Sequence, residues 1–476
     1  MLTAWLVLLP LIWATLAWVT GPRWGAGLAL SGVAVQAVLA LGLARRVAMG
    51  SVTHQVGGWG APLGIDLRVD GISALLLVLT QFIALPLFIY TRAWLGATKR
   101  DGNYLWPLLG LLLGALHALF VSADLFNLYV TLELLGLSAV ALVASGGDRA
   151  QLSAALRYLV VSLIASACFL LGVALIYAAY GTVSLVLLAS AISESASVTT
   201  LLAGTLMLLG LMIKTALFPF HSWLPAAHGS AAAPVSALLS ALVVKASFYV
   251  ILRLRLEVFT GLVDGFDWMP ALLGGAAVLY GSWQALRAER LKMLIAYSTV
   301  AQLGYLFLLL PLLAIGEIAL AAGAMQILAH ALAKAALFAA AGVALFATGR
   351  DSVSSLSALA GQLPLTWFAF GLAGISLMGL PPSGGFLAKW LLIEAAVQRE
   401  QWTMILLVVG SGLLAAAYIF RILSCAFRSV EQENAAATVA VPPAMEWAAF
   451  ALAVASVLVG LEANAIANLL GLGPVL

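Results

Sequence analysis

Two lysines deep inside apolar stretches, Lys214 and Lys245, are the residues of this sequence that most need a chemical reason. An ammonium group at the centre of a bilayer costs roughly 2.5–3.5 kcal/mol on insertion scales, so an apolar residue would be the cheaper choice. Three prolines that would break a helix and free backbone carbonyls lie between them, namely Pro219, Pro225 and Pro234. Buried lysines beside a broken helix are what a proton or ion path through a membrane requires.

A carboxylate in another apolar stretch, Glu133, is the natural partner for Lys214. A lone buried carboxylate tends to stay protonated, whereas a neighbouring lysine keeps it charged. If the two residues pair, opening the pair allows the lysine to release its proton. The alternative is a static structural ion pair, but buried ion pairs often add little stability over apolar packing. The pattern therefore favours a switch that loads and unloads one proton.

Three more basic groups extend the pattern beyond Lys245. His330 and Lys334 are four residues apart, hence on one face of a helix, and histidine exchanges protons near neutral pH. Lys389 follows a second proline- and glycine-rich interruption, Gly379–Gly385, and we expect it to be the final proton carrier. Lys245 could instead reach the membrane interface, and His330 could be satisfied by a backbone carbonyl. The depth of Lys245 favours a relay.

Three other histidines receive different interpretations. His221 and His228 flank the first interruption, and we expect them to line a water path. They lack the spacing of a zinc site and have no cysteine or carboxylate beside them, so no metal is expected. His117 is interpreted as a satisfied core histidine. Phosphate-binding loops, dinucleotide fingerprints and nucleophile elbows do not occur in a fitting context, so no cofactor is expected.

The composition sets the class of protein. The chain has 476 residues, of which 64% are hydrophobic and only 9% charged. Soluble globular proteins have about a quarter charged residues, so this class is excluded. At roughly 20 residues per span, the apolar runs predict about fourteen transmembrane helices in a lipid bilayer. The net charge of +3 is too small and too dispersed to suggest nucleic acid.

The connections between the apolar runs predict topology. A glycine-rich segment at Gly57–Pro62 predicts a short hairpin outside the lipid, and the charged turn from Arg287 to Lys292 separates two spans. Loops after odd-numbered spans carry more lysine and arginine than loops after even-numbered spans, which predicts both termini on the non-cytoplasmic side. The two interrupted spans, the seventh and twelfth, lie five spans apart. An odd offset predicts two inverted repeats.

Several segments together carry a family resemblance, and they read Asp124-Leu-Phe-Asn-Leu-Tyr-Val-Thr-Leu-Glu133, Lys214-Thr-Ala-Leu-Phe-Pro-Phe-His-Ser-Trp-Leu-Pro-Ala-Ala-His, His330-Ala-Leu-Ala-Lys334 and Leu380-Pro-Pro-Ser-Gly-Gly-Phe-Leu-Ala-Lys389. They resemble the antiporter-like membrane subunits shared by respiratory complex I and the multisubunit Mrp-type sodium/proton antiporters. The resemblance covers most of the chain. With lysine at the last position, the sequence is most similar to the D subunits of the Mrp antiporters.

The resemblance implies an all-α polytopic membrane protein with two inverted five-helix repeats, in which helices 7 and 12 are broken. It implies an N-terminal three-helix segment (1–100), a first repeat (101–256), a second repeat (257–428), and a linker with the last helix (429–476). It also implies a proton route through six residues, in the order Glu133, Lys214, Lys245, His330, Lys334 and Lys389.

We therefore expect a proton-translocating subunit of a multisubunit cation (sodium)/proton antiporter in a cell inner membrane, which is a transporter subunit rather than an enzyme. Its expected partners are the other subunits of the complex, with protons and sodium as the ions. One alternative is the proton-pumping subunit of a complex I-like or membrane-bound hydrogenase complex. Another is a membrane-embedded acyltransferase using His330, which would need an extramembrane site that no long polar loop supplies.

Overall fold

The structure is a computed structural model, and it describes residues 1–99, 102–192, 197–260, 267–428 and 439–473. Within these ranges the chain is almost entirely α-helical, which confirms the predicted all-α class. Most of the predicted linker after residue 428 lies outside the described residues, as does the predicted boundary at residues 100 and 101.

The described residues of the first half of the chain form eleven helices. They are α1 (Leu2–Thr20), α2 (Pro22–Val47), α3 (Gly71–Thr98), α4 (Leu105–Val121), α5 (Leu125–Ala144), α6 (Arg149–Tyr180), α7 (Leu185–Ala191), α8 (Val198–Lys214), α9 (Trp223–Ser230), α10 (Ala233–Leu238) and α11 (Val244–Glu257).

The second half continues in the same way, with the predicted charged turn between its first two helices. These helices are α12 (Trp268–Arg287), α13 (Leu291–Leu308), α14 (Glu317–Thr348), α15 (Leu359–Gln362), α16 (Pro364–Met378), α17 (Gly384–Gln398), α18 (Trp402–Ala426), α19 (Pro443–Leu458) and α20 (Ala463–Leu469).

Among the described residues, 10 helical segments are long and apolar enough to cross a membrane. Three shorter helices, α4, α8 and α16, are also apolar. The chain is therefore a multi-pass membrane protein, while the total of about fourteen spans, the inverted repeats and the domain boundaries stay predictions.

The predicted hairpin is present between α2 and α3. Strands β1 (Val52–Gln55) and β2 (Asp66–Val69) pair antiparallel, with Val52 opposite Val69. The connection passes through Gly57 and Gly58, both at positive φ, where a residue with a side chain is disfavoured. The glycine-rich segment therefore turns the chain as its composition predicts.

Both predicted helix interruptions are confirmed. Helix α8 ends at Lys214, and the chain passes through a short 3₁₀ turn, Phe220–Ser222, before α9 begins. Helix α16 is followed by Gly379, which has a left-handed φ of 81°. Ser383 then caps the start of α17, because its hydroxyl accepts a hydrogen bond from the Phe386 N–H at 3.2 Å. Each interruption leaves backbone carbonyls available to side chains.

One irregularity was not predicted. Residues Leu239–Val243, between α10 and α11, form a π-helical turn. Single π-helical turns inside α-helices often occur at functional sites. This turn belongs to the segment Ala233–Glu257, and all residues in the most apolar 18-residue stretch of that segment are buried. In the corresponding stretch of α1 only 33% of the residues are buried. The widened turn therefore lies at the centre of the protein, away from lipid.

Two basic residues lie deeper than the sequence suggests. Lys292 is predicted in the charged turn, yet it is buried in the first turn of α13 and its Nζ donates to the backbone carbonyls of Gly229 and Ala231. Arg253 lies in the last turns of α11, yet it is buried and paired with Asp70. Both side chains find partners on other elements of the fold, which a single-helix pattern does not show.

Candidate functional site

Glu133 and Lys214 form the predicted ion pair. Glu133 lies on α5 and Lys214 is the last residue of α8, and the Lys214 Nζ is 3.7 Å from the Glu133 Oε2. Their side chains are 20% and 8% exposed, so Glu133 lies nearer the surface. The carboxyl end of α8 carries a partial negative charge that also favours the ammonium group. The interruption after Lys214 thus helps to hold a cation inside the protein.

Two hydroxyls on α6 complete this pair, and the sequence pattern did not identify them. The Lys214 Nζ donates to the Ser162 Oγ at 3.0 Å, and the Ser166 Oγ donates to the Glu133 carboxylate. Ser162 and Ser166 are four residues apart, so they lie on one face of α6. Each charge therefore has a neutral partner besides the other charge.

Gly136 on α5 leaves space for this arrangement. A Cβ at this position would lie 2.8 Å from the Ser162 Oγ and 3.6 Å from the Lys214 Nζ. Real Cβ atoms do not approach a neighbour as closely as the first distance, so an alanine would displace the hydroxyl. The position of the ammonium group thus depends on the absence of a side chain here.

A small cavity connects Lys214 with the centrally buried α11. It gives the centres of water molecules about 20 Å³ of room and is lined by residues that include Tyr158, Ser162, Lys214 and Ser247. A space of this size holds one water molecule. Ser247 lies on α11, which also carries Lys245, so the cavity reaches from the ion pair to the helix of the next lysine.

Lys245 is buried beside the π-helical turn and does not reach the membrane interface. It is 1% exposed, and its Nζ donates to the backbone carbonyl of Ser240. In a regular α-helix that carbonyl would accept the N–H four residues later. The widened turn therefore supplies the partner for a buried cation.

His330 and Lys334 occupy one face of α14, as predicted. The Lys334 Nζ donates to the Ile295 carbonyl at 2.9 Å and to the Ser298 Oγ at 2.5 Å. His330 is buried, and neither ring nitrogen has a hydrogen-bond partner among the described residues. It lies within electrostatic range of Lys245 and Lys334, so these three groups form one cluster. The carbonyl-satisfied interpretation of His330 is therefore wrong for the described residues.

The flanking histidines differ from each other. His228 is buried at the end of α9, within electrostatic range of Lys245 and Lys334, and therefore borders the cluster. His221 instead stacks on Phe218, with 5.4 Å between ring centroids, and meets Tyr280 edge-on at 4.8 Å. It stands apart from the cluster in an aromatic environment.

Lys389 lies against the second interruption. Its Nζ donates to the carbonyls of Leu377 and Met378, both at 2.9 Å, and is 5.1 Å from the centroid of the Tyr305 ring. These carbonyls end α16, where the helix dipole is negative. A cavity with about 240 Å³ of room for water centres borders Lys389, and Trp390 on its wall is exposed. Lys389 therefore lies next to open space.

His117 is outside this arrangement. Its Nδ1 is 2.8 Å from the Leu6 carbonyl and its Nε2 is 2.6 Å from the Gln81 side-chain nitrogen. The first contact fits an N–H donor and the second an acceptor, as in neutral imidazole. The prediction of a satisfied core histidine is confirmed.

The six residues of the predicted route thus lie inside the protein as an ion pair, a central cluster and a terminal lysine. We call them the charged row, and it consists of Glu133, Lys214, Lys245, His330, Lys334 and Lys389. The ammonium groups are held by hydroxyls and carbonyls, which can also accept hydrogen bonds from water.

The chain is similar to known membrane proteins over most of its length. The family model described as NADH:quinone oxidoreductase/Mrp antiporter, transmembrane, matches residues 122–415, a region that contains the whole charged row. The chain is 37% identical over 422 residues to NADH-quinone oxidoreductase subunit N of Desulforudis audaxviator, covering 86% of this chain and 83% of that protein.

It is also 31% identical over 410 residues to the D subunit of a Na(+)/H(+) antiporter from Bacillus subtilis, covering 86% of this chain and 81% of that protein. Among solved structures, a chain of the Mrp complex from Dietzia sp. superposes with a TM-score of 0.90 at 27% identity, covering 99% of this chain and 96% of that chain. This chain therefore belongs to the NADH:quinone oxidoreductase/Mrp antiporter transmembrane family.

Proposed function

We propose that this chain translocates protons as one subunit of a multisubunit cation/proton antiporter in a cell inner membrane, with both termini on the non-cytoplasmic side. The observation that carries the proposal is the charged row, because its ammonium groups donate to hydroxyls and carbonyls inside the protein instead of extending to the lipid surface. The likeness to an antiporter subunit and to a chain of an Mrp complex supports the cation-coupled form.

The geometry of the ion pair suggests how coupling begins. At 3.7 Å the Glu133–Lys214 pair is longer than a direct charged hydrogen bond of about 2.7–2.9 Å. Ser166 and Ser162 provide alternative partners when the two charges separate. A Lys214 freed from Glu133 repels charge on the central cluster more strongly, which drives protons along the row toward Lys389.

Substitution of the ion pair tests this function. Inverted membrane vesicles that contain the complete complex are given a pH gradient, and a pH-sensitive dye reports its collapse when sodium or potassium is added. We expect Glu133→Ala and Lys214→Ala to abolish transport while the complex still assembles. Lys99→Ala, which removes an exposed lysine at the end of α3, is the matched control. Native rates in either ion-pair variant would reject the proposed roles.

A redox-driven proton pump is the second candidate. The 37% identity to a subunit of NADH-quinone oxidoreductase favours it, since the charged row would serve either energy source. Purifying the complex and identifying its other chains separates the two candidates. Subunits with flavin or iron–sulfur absorbance would support the pump, whereas a complex without them that exchanges cations for protons would support the antiporter.

The acyltransferase alternative has little structural support. His330 is 2% exposed and lies in the middle of α14 among other buried residues. An acyl donor with a polar headgroup would have to cross the packed helices to reach this imidazole. We therefore assign His330 to the proton route.

A further inference from the structure

Two buried glutamines face each other between the central cluster and Lys389. Gln302 on α13 and Gln326 on α14 are 3% and 7% exposed. The Gln326 Nε2 donates to the Gln302 Oε1 at 3.1 Å and to the Gln302 backbone carbonyl at 3.3 Å. The Gln302 Nε2 in turn donates to the Leu377 carbonyl at 3.3 Å. Together the two side chains form a hydrogen-bonded amide pair.

The position of this pair separates it from ordinary contacts between helices. Gln326 precedes His330 by four residues, and His330 precedes Lys334 by four, so these three side chains share one face of α14. At the other end, the Leu377 carbonyl that accepts from Gln302 also accepts from the Lys389 Nζ. The amide pair therefore lies between the central cluster and Lys389.

The chemistry of the carboxamide differs from that of its neighbours. Imidazole and amine groups take up and release protons, whereas a carboxamide offers fixed donors and one acceptor oxygen. Here each amide N–H points toward the next acceptor, from Gln326 to Gln302 and from Gln302 to Leu377. Along this line of described residues, the contacts between the central cluster and Lys389 therefore run through two carboxamides and the Leu377 carbonyl, none of which titrates.

We propose that the Gln302–Gln326 amide pair is a positioning contact that divides the charged row, and that a proton passes between His330 and Lys389 when the pair parts and admits water. This inference rests on the proposed function, because it concerns a step within the same route. It assigns a role to two residues that carry no charge.

Two cavities near the amide pair differ in size. A cavity beside Gln326, bordered by Tyr305, Leu309 and Gly323, has about 10 Å³ of room for water centres. This is close to the smallest space that holds one water molecule. The cavity at Lys389 offers about 240 Å³. The room for water beside Gln326 is therefore much smaller than the room at Lys389.

Two substitutions of Gln326 separate this role from simple helix packing. Gln326→Leu keeps the bulk and removes the hydrogen bonds, so that the separated helices meet water with an apolar group. Gln326→Glu keeps the shape and adds a group that takes up protons. It would face His330 and Lys334 from α14, Lys389 from α17, and the hydroxyls of Tyr305 and Tyr418, which lie on α13 and α18.

The experiment measures proton flux in vesicles that contain the complete complex, over a series of pH values. Gln36→Leu is the control, because Gln36 is also a fully buried glutamine but lies on α2, beside His117. We expect Gln326→Leu to lower the flux at least tenfold in an assembled complex. We expect Gln326→Glu to transport, with the pH of half-maximal rate displaced from the native value. Gln36→Leu should retain the native rate and pH profile.

A purely structural role predicts different results. Native flux in an assembled Gln326→Leu complex, or a native pH profile in Gln326→Glu, would overturn the division. If Gln326→Leu does not assemble, the pH profile of Gln326→Glu decides alone. Lys334→Ala and Lys389→Ala are measured alongside. Native transport in both lysine variants would refute the proposed function itself, whereas loss in both with native glutamine variants would refute only the inference.

Discussion

Adding a single methyl group at Gly136 should disable the ion pair without a substitution of either charged residue. The new Cβ would lie 2.8 Å from the Ser162 Oγ, so the hydroxyl that accepts from Lys214 has to move. The backbone gains from the change, because alanine is favoured over glycine in a helix by roughly 0.5–1 kcal/mol. This gain is smaller than the free energy of the lost hydrogen bond.

The expected size of the effect follows from the lost contact. A hydrogen bond to a charged group contributes about 1.5–3 kcal/mol, and a tenfold change corresponds to about 1.4 kcal/mol. If the balance between the closed and open Glu133–Lys214 pair limits the rate, Gly136→Ala lowers transport about ten- to a hundredfold. The thermal unfolding temperature of the complex should fall slightly, because the lost hydrogen bond outweighs the backbone gain.

The assay compares ion-driven collapse of a pH gradient in vesicles containing native complex, Gly136→Ala and Gly410→Ala. Gly410 lies inside α18, and a methyl group added there would have nothing within 4 Å, so its substitution gives the backbone gain alone. The control should transport at the native rate. A normally assembled Gly136→Ala complex that also transports at the native rate would refute the reasoning that Ser162 and Lys214 act together.

Three further perturbations are informative. Ser166→Ala removes the donor to the ion-pair carboxylate, so transport should fall severalfold while assembly is unchanged, and dye-based flux with a quantitative immunoblot checks both. Gly379→Ala places a side chain at a φ of 81°, which costs about 1–2 kcal/mol. Its Cβ would also lie 2.6 Å from the Lys389 Cδ, so both the unfolding temperature and transport should fall. Full activity would contradict this close approach. Burial raises the pKa of Asp70, but the Arg253 guanidinium and hydrogen bonds from Ser73 outweigh this effect and lower the pKa below its ordinary value. The carboxylate therefore stabilises the fold at pH values above the ordinary pKa, and this stabilisation is lost as the pH falls through the lowered pKa. Asp70→Asn should therefore lower the unfolding temperature at neutral pH more than in acid, and an equal loss at both would contradict the pairing.

The sequence was most informative where a residue conflicts with its surroundings. Charged side chains in apolar runs identified Glu133, Lys214 and Lys389, because burying a charge is costly enough to require a reason. Prolines and glycines identified the two interruptions, since they restrict the backbone locally. The structure confirms the ion pair and both interruptions, while the proton-carrying roles stay predictions.

The sequence was less informative where the partner comes from another helix. Lys292 is buried because its Nζ donates to the backbone carbonyls of Gly229 and Ala231. The charge-rich turn around Lys292 in the sequence suggests an exposed residue instead. The amide pair is in part an exception, since the spacing of Gln326 and His330 on one helix face was a usable signal. Gln302 is placed by the packing of α13 against α14, which a periodic pattern does not specify.

Backbone oxygens, rather than carboxylates, receive the ammonium groups of Lys245, Lys334 and Lys389. A peptide carbonyl carries only a fixed partial charge, so an amine that gives up its proton leaves no stranded anion behind. The deprotonated form of these three lysines would therefore cost the protein little free energy. At Glu133 the partner carries a full negative charge, and this carboxylate would be left unpaired if Lys214 gave up its proton. The protonation of Lys214 is therefore coupled to its distance from Glu133.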